Sequence, residues 1–302
     1  MLAWTALAGT VVLVLSGDIV QATGSGAGCG ESWPRCDGAL LPGFEDSSTI
    51  IEFSHRALTV LLSGVVVVLF LGARRRYSRG HHLRRAALWA GVFFVIEAAI
   101  GALLVTYGWV EDDASIGRVI ADGLHVVNTF FLVGALSLVV FYASGGRQLP
   151  SVIRKRGDRL FLWGAVVLIG IAVTGAVNSL ADTLFPADSV IDAVRSEFGA
   201  AAPFLLRIRA VHPVVAIAGG IVVYTIARLV AGRYPDQEPA ARAVYWLIGA
   251  QFVVGVVNIA LLAPLEVQVV HFLLAQALWI SFLMLGFRTI SRSDRADVTA
   301  AV

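Results

Sequence analysis

The sequence predicts an all-α polytopic membrane protein whose eight transmembrane helices form two pseudo-symmetric four-helix bundles. The first observation is composition: 58% of the 302 residues are hydrophobic, 15% are charged, and the mean hydropathy is +0.80. A soluble domain carries about 25% charged residues, so this much apolar surface is expected to face lipid. The second observation is a series of eight separate apolar stretches. The third is a set of residues that recurs in the same order in both halves of the chain.

Eight apolar stretches are long enough to cross a bilayer, whose hydrocarbon core needs about 20 helical residues. The first stretch has no basic segment before it and leads into further spans, so we expect an uncleaved helix rather than a signal peptide. The sixth is the least uniform, because Arg207 and Arg209 lie near its start. The predicted spans are residues 2–22, 51–72, 86–108, 119–143, 160–181, 204–230, 243–263 and 267–290.

The distribution of basic residues predicts the orientation. Six arginines lie in residues 73–85, four arginines and the only lysine lie in 144–159, and two arginines follow the last span. Because cytoplasmic loops carry the excess of positive charge, we expect these segments and both termini to face the cytoplasm. The net charge of +2 gives no indication of nucleic-acid binding. The loops predicted to face outward are residues 23–50, 109–118, 182–203 and 264–266.

Matched residues divide the chain into two halves with the same membrane orientation. We assign residues 1–143 to the first half, 144–159 to a cytoplasmic basic linker, 160–290 to the second half and 291–302 to a cytoplasmic tail. Four spans per half is an even number, which predicts a parallel repeat about an axis along the membrane normal. The matches are Ser16-Gly17 with Thr174-Gly175, His55 with His212, Glu97 and Gly101 with Gln251 and Gly255, and His125 with His271.

Four histidines occur at similar depth in the even-numbered spans, toward the predicted outer face. A histidine inside a span is costly and usually functional, and imidazole is a good axial ligand for haem iron. We therefore predict one bis-histidine haem site in each half. The alternative for each histidine is a hydrogen bond to a neighbouring backbone or hydroxyl group. His81 and His82 lie in a basic loop, where we expect them to be solvated. The predicted pairs are His55 with His125 and His212 with His271.

Charged residues near these histidines differ between the halves. Glu52 lies three residues before His55, on the same helix face, where a carboxylate could move protons or stabilise a cation. The alternative is a carboxylate favoured by the helix dipole. The corresponding residue of the second half is Arg209, which suggests that one half reacts and the other carries electrons. Arg56, Arg207 and Arg209 are candidate partners for haem propionates or for lipid headgroups.

The two cysteines of the chain, Cys29 and Cys36, both lie in the first outward loop. Paired cysteines in exported segments commonly form disulfides, so we expect a structural disulfide, with a redox-active pair as the alternative. Polar residues inside the spans are expected to hydrogen-bond across helices, and Glu97 is the one most worth testing. Neither a phosphate-binding loop nor a dinucleotide motif is present. Electrons are therefore expected to enter or leave through membrane or external partners.

The segment 23–36 with its cysteine pair, the run Glu52 to Arg56, and the histidines at 125, 212 and 271 resemble the haem A synthases over nearly the whole chain. The cysteine pair is similar to the bacterial subtype that carries cysteines in this loop. Many members have arginine where this chain has Gln21. The resemblance implies a bacterial plasma-membrane enzyme that oxidises a ring methyl (C8) of haem O to a formyl group by successive hydroxylations. The product is haem A for terminal oxidases.

The resemblance also implies roles for individual residues. His55 and His125 would flank the substrate haem O, and Glu52 would be the catalytic carboxylate. His212 and His271 would hold the iron of a haem b that carries electrons. The cysteine pair would form a disulfide that interacts with the haem or passes electrons. Implied partners are haem O synthase, cytochrome oxidase assembly factors and membrane lipid; the oligomeric state is left open, a homo-oligomer included.

Two other functions fit the same four histidines. One is a di-haem b-type, quinol-linked electron-transfer protein that leaves its haems unchanged. The other is a haem-handling transporter that binds haem transiently. Glu52 distinguishes them in part, because oxidation of a methyl group calls for a carboxylate near the substrate, whereas a plain electron carrier does not need one.

Overall fold

The computed structural model describes residues 1–43, 45–150, 156–199 and 202–300, and for 156–157 and 293–300 it describes the backbone alone. Within these residues the regular secondary structure is helical, with no strand. The ten α-helices are α1 (Leu2–Ala22), α2 (Ser47–Arg76), α3 (His82–Thr106), α4 (Ile116–Ala143), α5 (Arg156–Leu184), α6 (Val190–Phe198), α7 (Phe204–Arg209), α8 (Val211–Arg233), α9 (Glu238–Ala260) and α10 (Leu265–Ala300).

The eight predicted spans are confirmed as helices long and apolar enough to cross a membrane, and the chain is a multi-pass membrane protein. In the most apolar 18-residue window of each span, only 11–56% of the residues are buried. The outer faces instead present large apolar side chains such as Val60, Leu61, Trp163 and Trp246. A helix bundle in water would bury such residues, whereas lipid solvates them.

The sixth span differs from the predicted single helix. It consists of α7 and α8, which together cover Phe204–Arg233 and meet at Ala210. Pro213 has no N–H with which to bond the carbonyl four residues earlier, and this missing bond accounts for the break. Helix α6 was not predicted; it is a short helix in the loop before this span, and none of its residues is buried.

The two halves repeat the same pattern of neighbours. In the first half α1 packs on α2 and α3 packs on α4; in the second half α5 packs on α8 and α9 packs on α10. Helices α1, α4, α5 and α10 form the contact between the halves. There Trp279 donates a hydrogen bond from Nε1 to the Phe130 carbonyl at 2.9 Å. This pattern is what the predicted repeat requires, while the symmetry itself stays a prediction.

The basic segments and the four predicted ligand histidines lie at opposite ends of the spans. At the basic end, His81 accepts a bond from the Leu83 N–H at 3.2 Å and caps α3. Its ring lies between Tyr77 and His82, and His82 also meets the Tyr142 ring. Both histidines are half-buried, so they keep contact with solvent and also pack among aromatic rings, which the sequence did not predict.

The predicted linker and tail are partly helical. Helix α5 begins at Arg156, inside the predicted linker 144–159, and residues 151–155 lie outside the described part of the chain. Helix α10 continues through the predicted tail to Ala300. Both helices extend past the apolar stretches. Long charged side chains such as arginine lose little conformational freedom in a helix, so a helix can continue beyond the apolar residues.

Candidate functional site

The four predicted ligand histidines lie at the same end of the bundle. His55, His125 and His271 lie six to nine residues after the first residue of α2, α4 and α10, and His212 lies eight residues after Phe204. At about 1.5 Å per residue this is a depth of roughly 9–14 Å. All four rings are half-buried. The four histidines therefore lie at similar depth along their spans.

Hydroxyl groups hold Nδ1 of one histidine in each half. Ser16 Oγ lies 2.8 Å from His55 Nδ1, and Thr174 Oγ1 lies 3.1 Å from His212 Nδ1. Each hydroxyl donates its only proton to a carbonyl of its own helix, at 2.6 Å for Ser16 and 2.9 Å for Thr174. The hydroxyl oxygen must then accept from the ring, so Nδ1 carries the proton. Nε2 is left with a lone pair for a metal, as in a typical metal-binding histidine.

The other two histidines meet a longer polar side chain from the preceding span. Glu97 Oε1 on α3 lies 3.6 Å from His125 Nδ1. The amide of Gln251 on α9 lies 3.1 Å from His271 Nδ1. The other contacts of this amide suit its nitrogen on the side of the ring, because that nitrogen can also donate to the His271 carbonyl at 3.0 Å while the oxygen accepts the Ala275 N–H at 3.2 Å. Each of the four Nδ1 atoms thus faces a polar side chain.

A glycine makes room for each of the four rings. A Cβ added at Gly17 or Gly175 would lie 3.1 Å from Cε1 of His55 or His212, respectively. A Cβ added at Gly101 would lie 3.8 Å from Cε1 of His125, and one added at Gly255 would lie 3.4 Å from Cε1 of His271. These four glycines are the ones that sequence comparison of the halves had matched. Their common property is close approach of an imidazole to the backbone of the neighbouring helix.

The spacing of the second-half pair fits a shared metal. The ring centroids of His212 and His271 are 6.5 Å apart and their planes are perpendicular. A metal–imidazole bond is about 2 Å long, and a ring centroid lies about 1 Å behind its nitrogen, so a bis-imidazole metal separates the centroids by about 6 Å. These residues therefore fit a haem iron.

Glu52 is buried beneath the first loop, with a side chain held by three donors. The residue is 3% exposed. Its Oε2 accepts the backbone N–H of Cys29 at 2.7 Å, and its Oε1 accepts from Nε and Nη2 of Arg56. Arg56 also donates through Nη1 to the carbonyls of Ser32 and Arg35, at 2.7 and 2.6 Å. The carboxylate therefore joins the loop to α2 through the Cys29 N–H, and its ion pair within α2 holds Arg56, which binds two further loop carbonyls.

The predicted disulfide between Cys29 and Cys36 is confirmed. Both cysteines are almost fully buried, at 0 and 1% exposed. A second tie holds the loop to α2, because Thr49 Oγ1 donates to the Gly28 carbonyl at 2.6 Å. A side chain at Gly28 would overlap the backbone of Ser48. The disulfide thus lies against the same helix turn that carries Glu52, while its redox activity stays a prediction.

Arg209 performs a similar linking role in the second half with the opposite charge. Its Nε donates to Glu197 at 2.8 Å and its Nη1 to Asp182 at 3.2 Å. Further bonds reach the carbonyls of Phe185 and Ala193. The guanidinium therefore holds α6 and the end of α5 against the start of the sixth span. Nearby, Arg207 lines a small cavity with Glu197.

The predicted propionate contacts stay predictions. Four of the five N–H groups of Arg56 are used within the chain, and Arg209 is bound by two carboxylates and two carbonyls. A propionate would therefore have to share or replace these partners.

Sequence reasoning missed the partners of the histidines. Ser16, Thr174, Glu97 and Gln251 were recognised only as repeat markers or packing residues, although their place beside matched glycines was the available signal. Asp122 was missed as well. It lies three residues before its histidine, as Glu52 does, and one of its oxygens is 3.6 Å from Arg118 Nε.

Comparison with known proteins identifies the family. The family model described as cytochrome oxidase assembly protein, COX15-CtaA, matches residues 1–283. A relative from Thermus thermophilus, named protohaem IX farnesyltransferase, is 39% identical over 298 residues; the match covers 97% of this chain and 48% of the relative. The chain therefore spans about half the length of that relative.

Two further relatives are named haem A synthase. The one from Bacillus cereus is 27% identical, over 96% of this chain and 94% of its own. The one from Staphylococcus carnosus is 31% identical over 180 residues, which are 58% of this chain and 57% of the relative. With the family model matching nearly all of its length, the chain belongs to the COX15-CtaA family of cytochrome oxidase assembly proteins.

Proposed function

We propose that this protein is a haem A synthase, an oxidoreductase that converts the C8 methyl group of haem O to a formyl group. One observation carries the proposal: the spacing of His212 and His271 suits a shared iron, the first half repeats their polar partners and glycines at His55 and His125, and it adds the buried Glu52 beside a disulfide. The similarity to the Bacillus cereus haem A synthase over nearly the full length of both chains supports the same activity.

The reaction defines what the protein must supply. Conversion of a methyl group to a formyl group follows R–CH3 + H2O → R–CHO + 4 H⁺ + 4 e⁻, with an alcohol as the two-electron intermediate. One C–O bond forms, C–H bonds break, and four electrons leave for an acceptor. The site must therefore hold the substrate, accept protons, admit water and pass electrons on.

Residues of the first half would bind and orient the substrate. His55 and His125 would bind the iron of haem O from its two sides through Nε2, because Ser16 holds the proton of His55 on Nδ1. Glu52 would accept protons or stabilise positive charge near the reacting methyl group. The Arg56 pair and the Cys29 N–H would keep its carboxylate in one position.

Residues of the second half would hold haem b, with His212 and His271 as the iron ligands. When bound, haem b would supply a one-electron carrier between the substrate site and an external acceptor. The perpendicular rings and their 6.5 Å spacing support this assignment. Thr174 and Gln251 would fix the orientation of the two imidazoles.

We also propose the orientation and the location. The basic segments at one end of the bundle support a cytoplasmic location for that end and for both termini. The histidines, Glu52 and the disulfide would then face the outer side of a bacterial plasma membrane. An oxidising compartment on that side agrees with the disulfide between Cys29 and Cys36.

A haem O synthase is the partner we propose. The Thermus relative is about twice as long as this chain, and its name describes farnesyl transfer to protohaem IX. Such a product is strongly apolar, so direct transfer inside the membrane would avoid its exposure to water. The same name makes farnesyl transfer by this chain a second candidate function. Assembly factors of cytochrome oxidase are further partners consistent with the family.

The deciding experiment uses protein purified from cells that also make haem O. Its haems are extracted, separated by chromatography and identified by mass, and a reduced-minus-oxidised spectrum is recorded. We expect haem b together with haem O, a hydroxylated intermediate or haem A. Cells without the protein serve as the control, and they should contain haem O but no haem A.

Other outcomes of that experiment would overturn the proposal. Haem b alone, with no haem A formed from supplied haem O, would favour an electron carrier. Formation of haem O from haem b and farnesyl diphosphate would favour the transferase. Haem O that binds to the protein and is released chemically unchanged would favour a transporter. A folded preparation without any haem would contradict the bis-histidine sites themselves.

Gly175→Ala should weaken binding of haem b. The added methyl group would lie 3.1 Å from the His212 ring and push it from its position. Overpacking by one methyl group costs about 1–3 kcal/mol of free energy. If this cost falls on haem binding, each 1.4 kcal/mol or so weakens the binding about tenfold. Gly170→Ala is the matched control in the same helix, because a Cβ there meets nothing within 4 Å. Haem b retention in dilute detergent measures the effect; equal retention by both variants would contradict it.

A further inference from the structure

The four histidines differ in the charge of the group at Nδ1. Ser16 and Thr174 place neutral hydroxyl groups there, and Gln251 places a neutral amide. Glu97 alone places a carboxyl group, beside His125. The first half therefore contains an acid–histidine pair, and the matched position of the second half contains an amide–histidine pair.

Two residues of α4 hold the Glu97 side chain in place. Asn128 donates from Nδ2 to Oε2 at 2.5 Å, and Thr129 donates from Oγ1 to Oε1. Both bonds are of the kind that a carboxylate accepts. The Glu97 side chain is 13% exposed, so its interactions are little screened by solvent. It is therefore presented as a fixed acceptor one helix away from the His125 ring.

The Nδ1 atom of His125 lacks a hydrogen-bond partner among the described residues. It is buried, and Glu97 Oε1 lies 3.6 Å away. That distance is too long for a hydrogen bond but short enough for an ion pair. A small rotation of the ring on binding a metal through Nε2 would close the gap, since such bonds tighten when a ligand is present.

A carboxylate at Nδ1–H makes an imidazole a stronger donor to a metal. A stronger donor, together with a nearby negative charge, stabilises the iron more in its ferric than in its ferrous state, and this lowers the reduction potential. A neutral amide at the same place has a smaller effect. Beside the charges of Glu52, Arg56, Asp122 and Arg209, this pair of residues should then contribute its own difference in potential between the two halves.

We propose that Glu97 is a positioning residue that acts through His125 to favour ferric iron in the first site, whereas Gln251 leaves the second site at a higher potential. The inference rests on the proposed function. It adds a direction: electrons released at the substrate site move downhill from the first half to the second. Residues on α3 and α9, which do not bind the metal, would set that direction.

The test exchanges the two side chains. Full-length protein is loaded with iron protoporphyrin IX in both sites, and the two midpoint potentials are measured by spectroelectrochemical titration. Glu97→Gln should raise the lower potential by about 59 mV, a tenfold loss of ferric preference for a one-electron couple. Gln251→Glu should lower the higher potential by a similar amount. Glu111→Gln, an exposed acid between α3 and α4, is the control and should leave both potentials unchanged.

Each outcome bears on the inference. Two bound haems whose potentials do not respond to Glu97→Gln would overturn it and leave the proposed function standing. If that variant loses its first-site haem, Gln251→Glu decides, and an unchanged second potential would overturn the inference. Only one bound haem in the unaltered protein would overturn both the proposed function and the inference. Partial restoration of the low potential by Glu97→Asp would support a charge effect over packing.

Discussion

Replacing His212 or His271 with alanine should remove haem b and stop the conversion of haem O. Each substitution would delete one of the two residues proposed to hold the iron of haem b, and loss of a residue that merely orients a ligand already costs about 10–100-fold in metal affinity. We therefore expect affinity for haem b to fall by about 100-fold or more. Electrons from the substrate site would then have no carrier. The measurement combines haem content, the low-spin absorption spectrum and the rate of haem A formation.

His81→Ala is the control for the histidine variants. His81 is also half-buried, but it caps α3 at the basic end, away from the four site histidines. Haem content should therefore be normal. A normal low-spin spectrum in both His212→Ala and His271→Ala would show that these residues do not hold haem b. If conversion continued while haem b was absent, the electron-carrier role of the second half would be wrong.

Glu52→Gln should lower the rate of haem O oxidation by about 100-fold or more, within the range of general acid–base catalysis, while haem stays bound. Glutamine keeps an oxygen that can accept the Cys29 N–H, but it carries no charge and takes up no proton. Glu52→Ala should be at least as inactive. The rate is measured as haem A and hydroxylated haem formed from supplied haem O.

Thr49→Val separates catalysis by Glu52 from attachment of the loop. This change removes the bond from Thr49 to the Gly28 carbonyl, so it weakens the same contact between loop and helix without altering charge. We expect most of the activity to remain. Equal losses in Thr49→Val and Glu52→Gln would assign Glu52 to holding the disulfide loop. Normal haem A formation by Glu52→Gln would exclude it as the catalytic carboxylate.

A charged residue three positions before a histidine attaches a connecting segment to the bundle in both halves. Glu52 binds the N–H of Cys29, and Arg209 binds Glu197 on α6. Removing one member of a buried ion pair costs about 3–5 kcal/mol, since the other charge is left alone. The attached segment differs between the halves: it is the disulfide loop in the first and the short helix α6 in the second.

The sequence by itself determined the class of protein and the positions of its spans. All eight apolar stretches proved to be helices, because a bilayer demands about 20 residues of satisfied backbone from every crossing. The disulfide was also predictable, since Cys29 and Cys36 are the only cysteines and lie seven residues apart. The break before Pro213 and helix α6 were not predicted, because a hydropathy pattern averages over such local changes.

The tertiary structure alone decided the partners of each site residue. Glu97 and Gln251 were visible as matched residues, but their approach to His125 and His271 depends on how α3 packs on α4 and α9 on α10. Arg56 was a candidate partner for a propionate or a lipid headgroup, and only packing shows that it binds Glu52, one helical turn away, and two carbonyls of the first loop. The periodicity of a helix states which residues share one of its faces. The distances between the faces of two helices come from packing. Packing therefore sets the ion pairs, the histidine tautomers and the charge around each histidine.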